Sequence, residues 1–148
     1  MQTAKDIMST DILTVKKDTT IKDLSKLFME SKVNGVPVVD DAGKVIGVVT
    51  QTDLVEQNKN LHIPTVIALF DAVLFIESEK KFEEEAKKLT GTLVEDIYHP
   101  KAVTVSPDTD LNDIATIMSE KKVHTLPVVD GDNMVGVIGK LDVIRGMA

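Results

Sequence analysis

The strongest constraint on this chain is that it states one phrase twice. Residues 33–55 read VNGVPVVDDAGKVIGVVTQTDLV, and residues 123–144 read VHTLPVVDGDNMVGVIGKLDVI. Pairing Asp6 with Asp96 keeps the copies in register as far as Asp40 and Asp130. One residue is then lost in the second turn, so that Gly47 meets Gly136. About 17 of roughly 50 paired positions are identical, and an internal repeat on this scale governs the fold a chain can adopt.

Each copy carries the same expected elements. A short helix is expected at Ala4–Ser9 and again at Val94–Tyr98. DILTV and KAVTV follow as short strands rich in β-branched residues. Next comes a helix, with N-cap candidates in Asp18-Thr19-Thr20 and Asp108-Thr109-Asp110. Its apolar face is spaced helically at Ile21, Leu24, Leu27 and Phe28, and at Leu111, Ile114, Ile117 and Met118. Two apolar strands are then separated by the turn residues DDAG or DGDN, and a last helix begins near Thr52 or Leu141. The expected fold is α/β: tandem β-α-β-β-α repeats packed with pseudo-twofold symmetry. Neither half buries enough surface to stand alone. Residues 1–57 form the first repeat, 58–92 a helical bridge and 93–148 the second repeat. In the bridge, Pro64 suits a helix start, Glu83–Lys87 and Glu84–Lys88 are favourable i,i+4 pairs, and Gly91 suits a C-cap. The bridge's apolar helix either covers its own core or forms a subunit interface.

The 148 residues carry a net charge of −7 and no cysteine. An acidic surface repels phosphodiester backbones and anionic lipid, which disfavours nucleic acid and membrane as partners. Disulfides, thiolate zinc sites and cysteine nucleophiles are excluded. The N-terminal residues lack the basic-then-apolar pattern of a secretory signal, and the longest apolar stretch, Val66–Ile76, is too short to span a bilayer. A cytoplasmic location is expected. There is no nucleophile elbow, Walker loop or His-Glu-x-x-His, so no catalysis is expected. The three histidines form no metal motif.

The segment Gly47-Val48-Val49-Thr50-Gln51-Thr52-Asp53 carries what chemistry there is. A strand ends at Thr50 and a helix begins within a few residues, presenting free N–H groups and a positive helix end. Asp53 is an acceptor-only carboxylate that can take two vicinal hydroxyls, as a ribose offers. Equally, Thr50 can be the helix N-cap while Asp53 only complements the helix dipole.

Taken twice and together, x-Pro-Val-Val-Asp and Gly-h-h-Thr-x-x-Asp resemble a pair of CBS domains, a Bateman module of the free-standing prokaryotic type. The resemblance covers roughly 100 of the 148 residues. It implies a non-catalytic regulatory module that binds adenosine-containing ligands of the AMP, ATP or S-adenosylmethionine class. It also implies a homodimer, and the message is expected to pass either to an unknown partner protein or through the oligomer. Carried over residue by residue, it places Asp53 on the ribose and Thr50 on ribose or phosphate, with Ile12, Leu13, Thr14, Val36 and Pro37 around the adenine. In the second copy the same roles fall to Asp142, to Ala102, Val103 and Thr104, and to Leu126 and Pro127. Gly139 stands where Thr50 stands, without a hydroxyl, so the second site is expected to bind more weakly, bind differently or be empty. His124, whose partner is Asn34, matches a basic phosphate contact. Lys32 and Lys122 are the nearest further countercharges. With few basic residues expected near the clefts, AMP or a nucleoside is favoured over ATP. His62 and His99 read as surface residues. The alternative is a ligand-free dimerisation module.

Overall fold

The computed structural model describes residues 2–59 and 92–148. The expectations for the bridge at 60–91 lie outside the described residues. The elements are α1 (Ala4–Ile7), α2 (Ile21–Ser31), β1 (Gly35–Val39), β2 (Val45–Thr50), α3 (Gln51–Lys59), a 3-10 turn at Val94–Asp96, β3 (His99–Pro100), α4 (Leu111–Lys121), β4 (Thr125–Asp130), β5 (Asn133–Gly139) and α5 (Lys140–Met147).

The long helices form where the sequence places caps and an apolar face. Thr20 accepts the Asp23 N–H at 3.1 Å, and Asp110 accepts that of Asp113 at 2.8 Å. Ile21, Leu24 and Phe28 are buried on α2, and Ile114 and Met118 on α4. Both helices end on a left-handed lysine, Lys32 (φ 55°) or Lys122 (φ 54°), whose N–H closes onto the carbonyl of Phe28 or Met118. The hairpins match closely. β1 and β2 pair antiparallel with Gly35 opposite Thr50; β4 and β5 pair with Thr125 opposite Gly139; each ladder slips after its central valine, Val38 or Val128. In the first turn the Asp40 carboxylate accepts the N–H groups of Ala42 and Lys44, and Gly43 supplies the positive φ.

Two expectations need correction. DILTV and KAVTV are not strands; only Val15 and Val105 bridge, in parallel, to Val38 and Val128. Val15 donates to the Pro37 carbonyl and accepts from Val39, and the residues just before it leave the sheet. The second correction concerns where the repeats pack. Ala4 of α1 lies fully buried in the core of the second copy, with Val105, Ile114, Leu126, Val128 and Ile138. Val94 lies fully buried in the core of the first, with Leu24, Val36, Val38 and Val49. The Ala4 N–H reaches the Thr109 carbonyl, Ser9 exchanges two backbone bonds with Val137, and Val94 donates to Thr19. β3 extends the first sheet beside β2. Residues 2–9 and 92–100 are thus exchanged between the halves, and each core is completed by the other copy's leader. Sequence similarity marks the repeated unit, whereas burial marks the packed one, and the two differ by one short leader.

Glycines stand where the leaders cross. A Cβ at Gly47 would lie 2.3 Å from the His99 carbonyl oxygen and 2.5 Å from the Tyr98 ring. One at Gly136 would lie 2.4 Å from Met8 Sδ. Where β1 and β4 approach, a Cβ at Gly35 would lie 2.7 Å from Thr125 Oγ1. Thr125 therefore fills the space that Gly35 leaves, and the Gly35/Thr50 pair of one hairpin is inverted as Thr125/Gly139 in the other.

Candidate functional site

The exchanged leaders create two clefts, each walled by both repeats. The first holds Thr50, Asp53 and Glu56 from the first copy, and His99, Lys101, Ala102, Val103, Lys122 and His124 from the second; its volume is about 720 Å³. The second holds Gly139, Asp142 and Arg145 from the second copy, and Ser9, Asp11, Leu13, Lys32, Val36 and Pro37 from the first; its volume is about 260 Å³. Small-molecule sites commonly occupy roughly 300–1,000 Å³, so the Asp53 cleft has the capacity of one and the Asp142 cleft is small. Asn34, His124 and Thr125 border both.

In the first cleft Asp53 closes a reciprocal cap on α3. Its Oδ2 accepts the Thr50 N–H at 2.8 Å, and its own N–H donates to Thr50 Oγ1 at 3.2 Å. The capping reading of this pair is therefore correct, but it uses only one carboxylate oxygen. The other, Oδ1, lies 2.6 Å from His99 Nε2. The carboxylate is only 4% exposed, whereas His99 is 73% exposed. Asp142 repeats half of this arrangement. Its Oδ2 accepts the Gly139 N–H at 2.7 Å, and its Oδ1 takes Arg145 Nη2 at 3.0 Å from the next turn of its own helix. Each aspartate thus spends one oxygen on its helix and turns the other to a cationic or polar side chain at the cleft.

The structure regroups the residues expected from sequence. Asp53 and Thr50 meet Ala102, Val103 and His124, not Ile12, Leu13, Thr14, Val36 and Pro37. Leu13, Val36 and Pro37 line the Asp142 cleft instead. Leader exchange, which carries the segment before each α-β-β-α unit to the other unit's aspartate, accounts for Leu13, Ala102 and Val103; Val36 and Pro37 lie on β1 and His124 just before β4, where the two hairpins approach each other. Ile12 and Thr14 line neither of these clefts, and Thr104 borders a separate hollow with Lys44 and Ile46. Leu126 and Pro127 are fully buried in the core. His99 is exposed, as expected, and is also the partner of Asp53. Lys32 and Lys122 do reach the clefts, with Lys101, Lys121, Lys140 and Arg145 beside them. The expectation of few basic residues there is wrong. Nothing local in the sequence marks His99 or Lys101; only the exchange, which one copy's sequence cannot reveal, brings them to Asp53. Among the described residues no group of three or more His, Asp or Glu is arranged to hold a metal, and no helix is long and apolar enough to cross a membrane.

Two interlocked repeats, each lending a capped aspartate to a shared cleft, define a tandem-repeat module whose clefts lie between its halves. A family model described as the CBS domain matches residues 4–60 and again 94–148, and the chain belongs to the CBS domain family as a CBS pair. It is 30% identical, over 97% of its length and 89% of the relative's, to an uncharacterized protein of Methanocaldococcus jannaschii. It is 32% identical to the chloroplastic CBS domain-containing protein CBSX1 of Arabidopsis thaliana, over 91% of this chain, and spans 58% of that relative. Among solved structures it is similar to CBSX2 in complex with AMP, with a TM-score of 0.71, 28% identity and coverage of 99% of this chain and 96% of that one. The CBS domain pair of a second solved protein, in complex with 5′-methylthioadenosine and S-adenosylmethionine, shares the fold at a TM-score of 0.72 and 22% identity, over 99% of this chain and 96% of that one.

Proposed function

We propose that this chain is a non-catalytic regulatory module that senses an adenosine-containing nucleotide in the clefts between its repeats. One observation carries the reading: a buried carboxylate, Asp53, keeps an oxygen at the wall of a cleft of about 720 Å³ after capping its helix. That oxygen can accept from vicinal ribose hydroxyls once His99 gives way. The likeness to CBSX2, which is described in complex with AMP, supports the ligand class. Because each cleft has walls from both repeats, a bound ligand ties one to the other. It shifts their relative angle by its differential affinity for the two arrangements. The signal passes to a protein target or through a homodimer in the cytoplasm. Calorimetry with AMP, ATP and S-adenosylmethionine tests the reading: at least one releases heat and Asp53→Ala weakens it, whereas silence with all three rejects it.

A second reading, a ligand-free dimerisation module, draws on apolar side chains left open on two helices. Val55 on α3 and Leu141, Ile144 and Met147 on α5 are each more than half exposed. A dimer by light scattering together with calorimetric silence would select it.

A further inference from the structure

Each capped aspartate finds a donor for its second oxygen by a different route, and the two routes are complementary. At Asp53 the donor is His99, on the leader. Three residues past Asp53 on its helix stands Glu56, a carboxylate that has nothing to donate when ionised. At Asp142 that helix position holds Arg145, which takes the oxygen, and Ser9 stands on the leader in the place of His99. Where one position lacks a long donor the other supplies it. In both copies, then, the oxygen that the helix cap leaves over is filled from within the chain.

The Asp53 pair is built to open from one side. The His99 backbone is fixed, since His99 stands opposite Val48 where β3 pairs with β2, and its carbonyl oxygen fills the space over Gly47. The His99 side chain is mostly exposed. Its imidazole can swing into water by rotation about its side-chain bonds while the sheet stays intact. Asp53 cannot follow. Its carboxylate is buried, and Oδ2 is tied to the Thr50 N–H at 2.8 Å. An imidazole can donate from Nε2 whether neutral or charged, so the contact requires no particular protonation state.

We infer that His99 is an internal competitor for the Asp53 cleft, so that a ligand needing the carboxylate binds only by displacing the imidazole, an inference that rests on reading the clefts as adenosyl sites. A site that is open for a fraction of the time binds with an affinity reduced by that fraction. The reduction is the same for every ligand that needs the Asp53 oxygen, whatever else the ligand carries. His99 thus raises the ligand concentration at which the module responds, without itself touching the ligand.

The full chain and its His99→Ala variant are titrated calorimetrically with adenosine and with AMP. Alanine keeps the β3 backbone and removes the donor. Both ligands should bind the variant about fivefold more tightly, the upper end for a contact with an exposed partner, and the ratio of their affinities should not change. A loss for AMP alone would make His99 a contact to the phosphate. A loss for both would make it part of the ligand's wall, and unchanged affinities would show that it does not compete. Each of these three results would overturn the inference and leave the adenosyl reading standing. Silence of both chains with both ligands would overturn both. A second measurement needs no variant: saturating adenosine should move the His99 ring nitrogen signals of the unaltered chain toward those of a solvated histidine. Signals that stay in place while adenosine binds would reject the displacement.

Discussion

Asp53 and Asp142 occupy the same place in the repeat and do the same first job, accepting the N–H at the start of the following helix. They differ in what holds their second oxygen. For Asp53 it is His99, which arrives from the other repeat, so the contact spans the interface. For Asp142 it is Arg145, three residues on along the same helix. Only the first contact changes when the repeats move relative to one another. The cap is therefore the constant of the repeat, needed wherever the chain turns from strand to helix. The second oxygen is the variable that decides whether a cleft couples the two halves. Arg145 is 75% exposed, and such exposed pairs contribute about 0–1 kcal/mol, so it occupies Asp142 without locking it.

The largest effect that sharpens the contrast between the copies comes from the glycines under the leaders. An alanine methyl at Gly47 meets backbone and a ring, neither of which yields, whereas at Gly136 it meets the flexible thioether of Met8. Gly47→Ala should cost about 3 kcal/mol or more and Gly136→Ala about 1 kcal/mol, at the upper and lower ends of overpacking penalties. Urea unfolding midpoints compare them directly, and equal losses would show that the two crossings are packed alike.

Next in size is the pair Asp53→Ala and Asp142→Ala. Both should lose about 1 kcal/mol of stability through the missing cap. Only Asp53→Ala should also weaken AMP, by about 10- to 100-fold, the scale of losing a charged hydrogen-bond partner. If Asp142→Ala weakened AMP as much, the clefts would be equivalent and the distinction drawn from their second oxygens would fall.

The sequence made the duplication, the caps at Thr20 and Asp110, the buried hairpins and the Thr50–Asp53 cap readable, because each depends on residues near one another in the chain. The helix faces came through for the same reason: Leu24 and Ile114 stand at helical spacing and are fully buried. What could not be read is the exchange of leaders. DILTV has the composition of a strand, but a strand needs a neighbour, and only Val15 finds one. Ala4 and Val94 give no local sign that they fill the opposite core. That one non-local fact moved Leu13 to Asp142 and Ala102 to Asp53, and set the exposed His99 beside Asp53. The inverted pair Gly35/Thr50 and Thr125/Gly139 was likewise visible only as a missing hydroxyl at 139, since its complement lies across the interface.

The smallest effect tests the leaders themselves at the residue that each aspartate caps, Thr3 in one and Leu93 in the other. The Asp6 carboxylate accepts both the backbone N–H of Thr3 at 2.9 Å and its hydroxyl at 3.1 Å. Its counterpart Asp96 accepts only the backbone N–H of Leu93, at 2.9 Å. The Thr3 backbone bond, and after it the Thr3 hydroxyl, hold the Asp6 carboxyl below its ordinary value of 3.8, because both donors favour the charged form. A depressed carboxyl gives stability that is present above the unfolded value and lost as pH falls through the folded one, so this leader should loosen only in acid below the ordinary aspartate range. Thr3→Leu copies the second leader onto the first and keeps the backbone donor. Followed by carboxyl carbon chemical shift, the Asp6 midpoint should rise toward 3.8 without reaching it, since the larger contribution stays. A midpoint unmoved by the substitution would mean that the hydroxyl does not distinguish the two leaders; one that rises the whole way would mean that the backbone bond had depended on it.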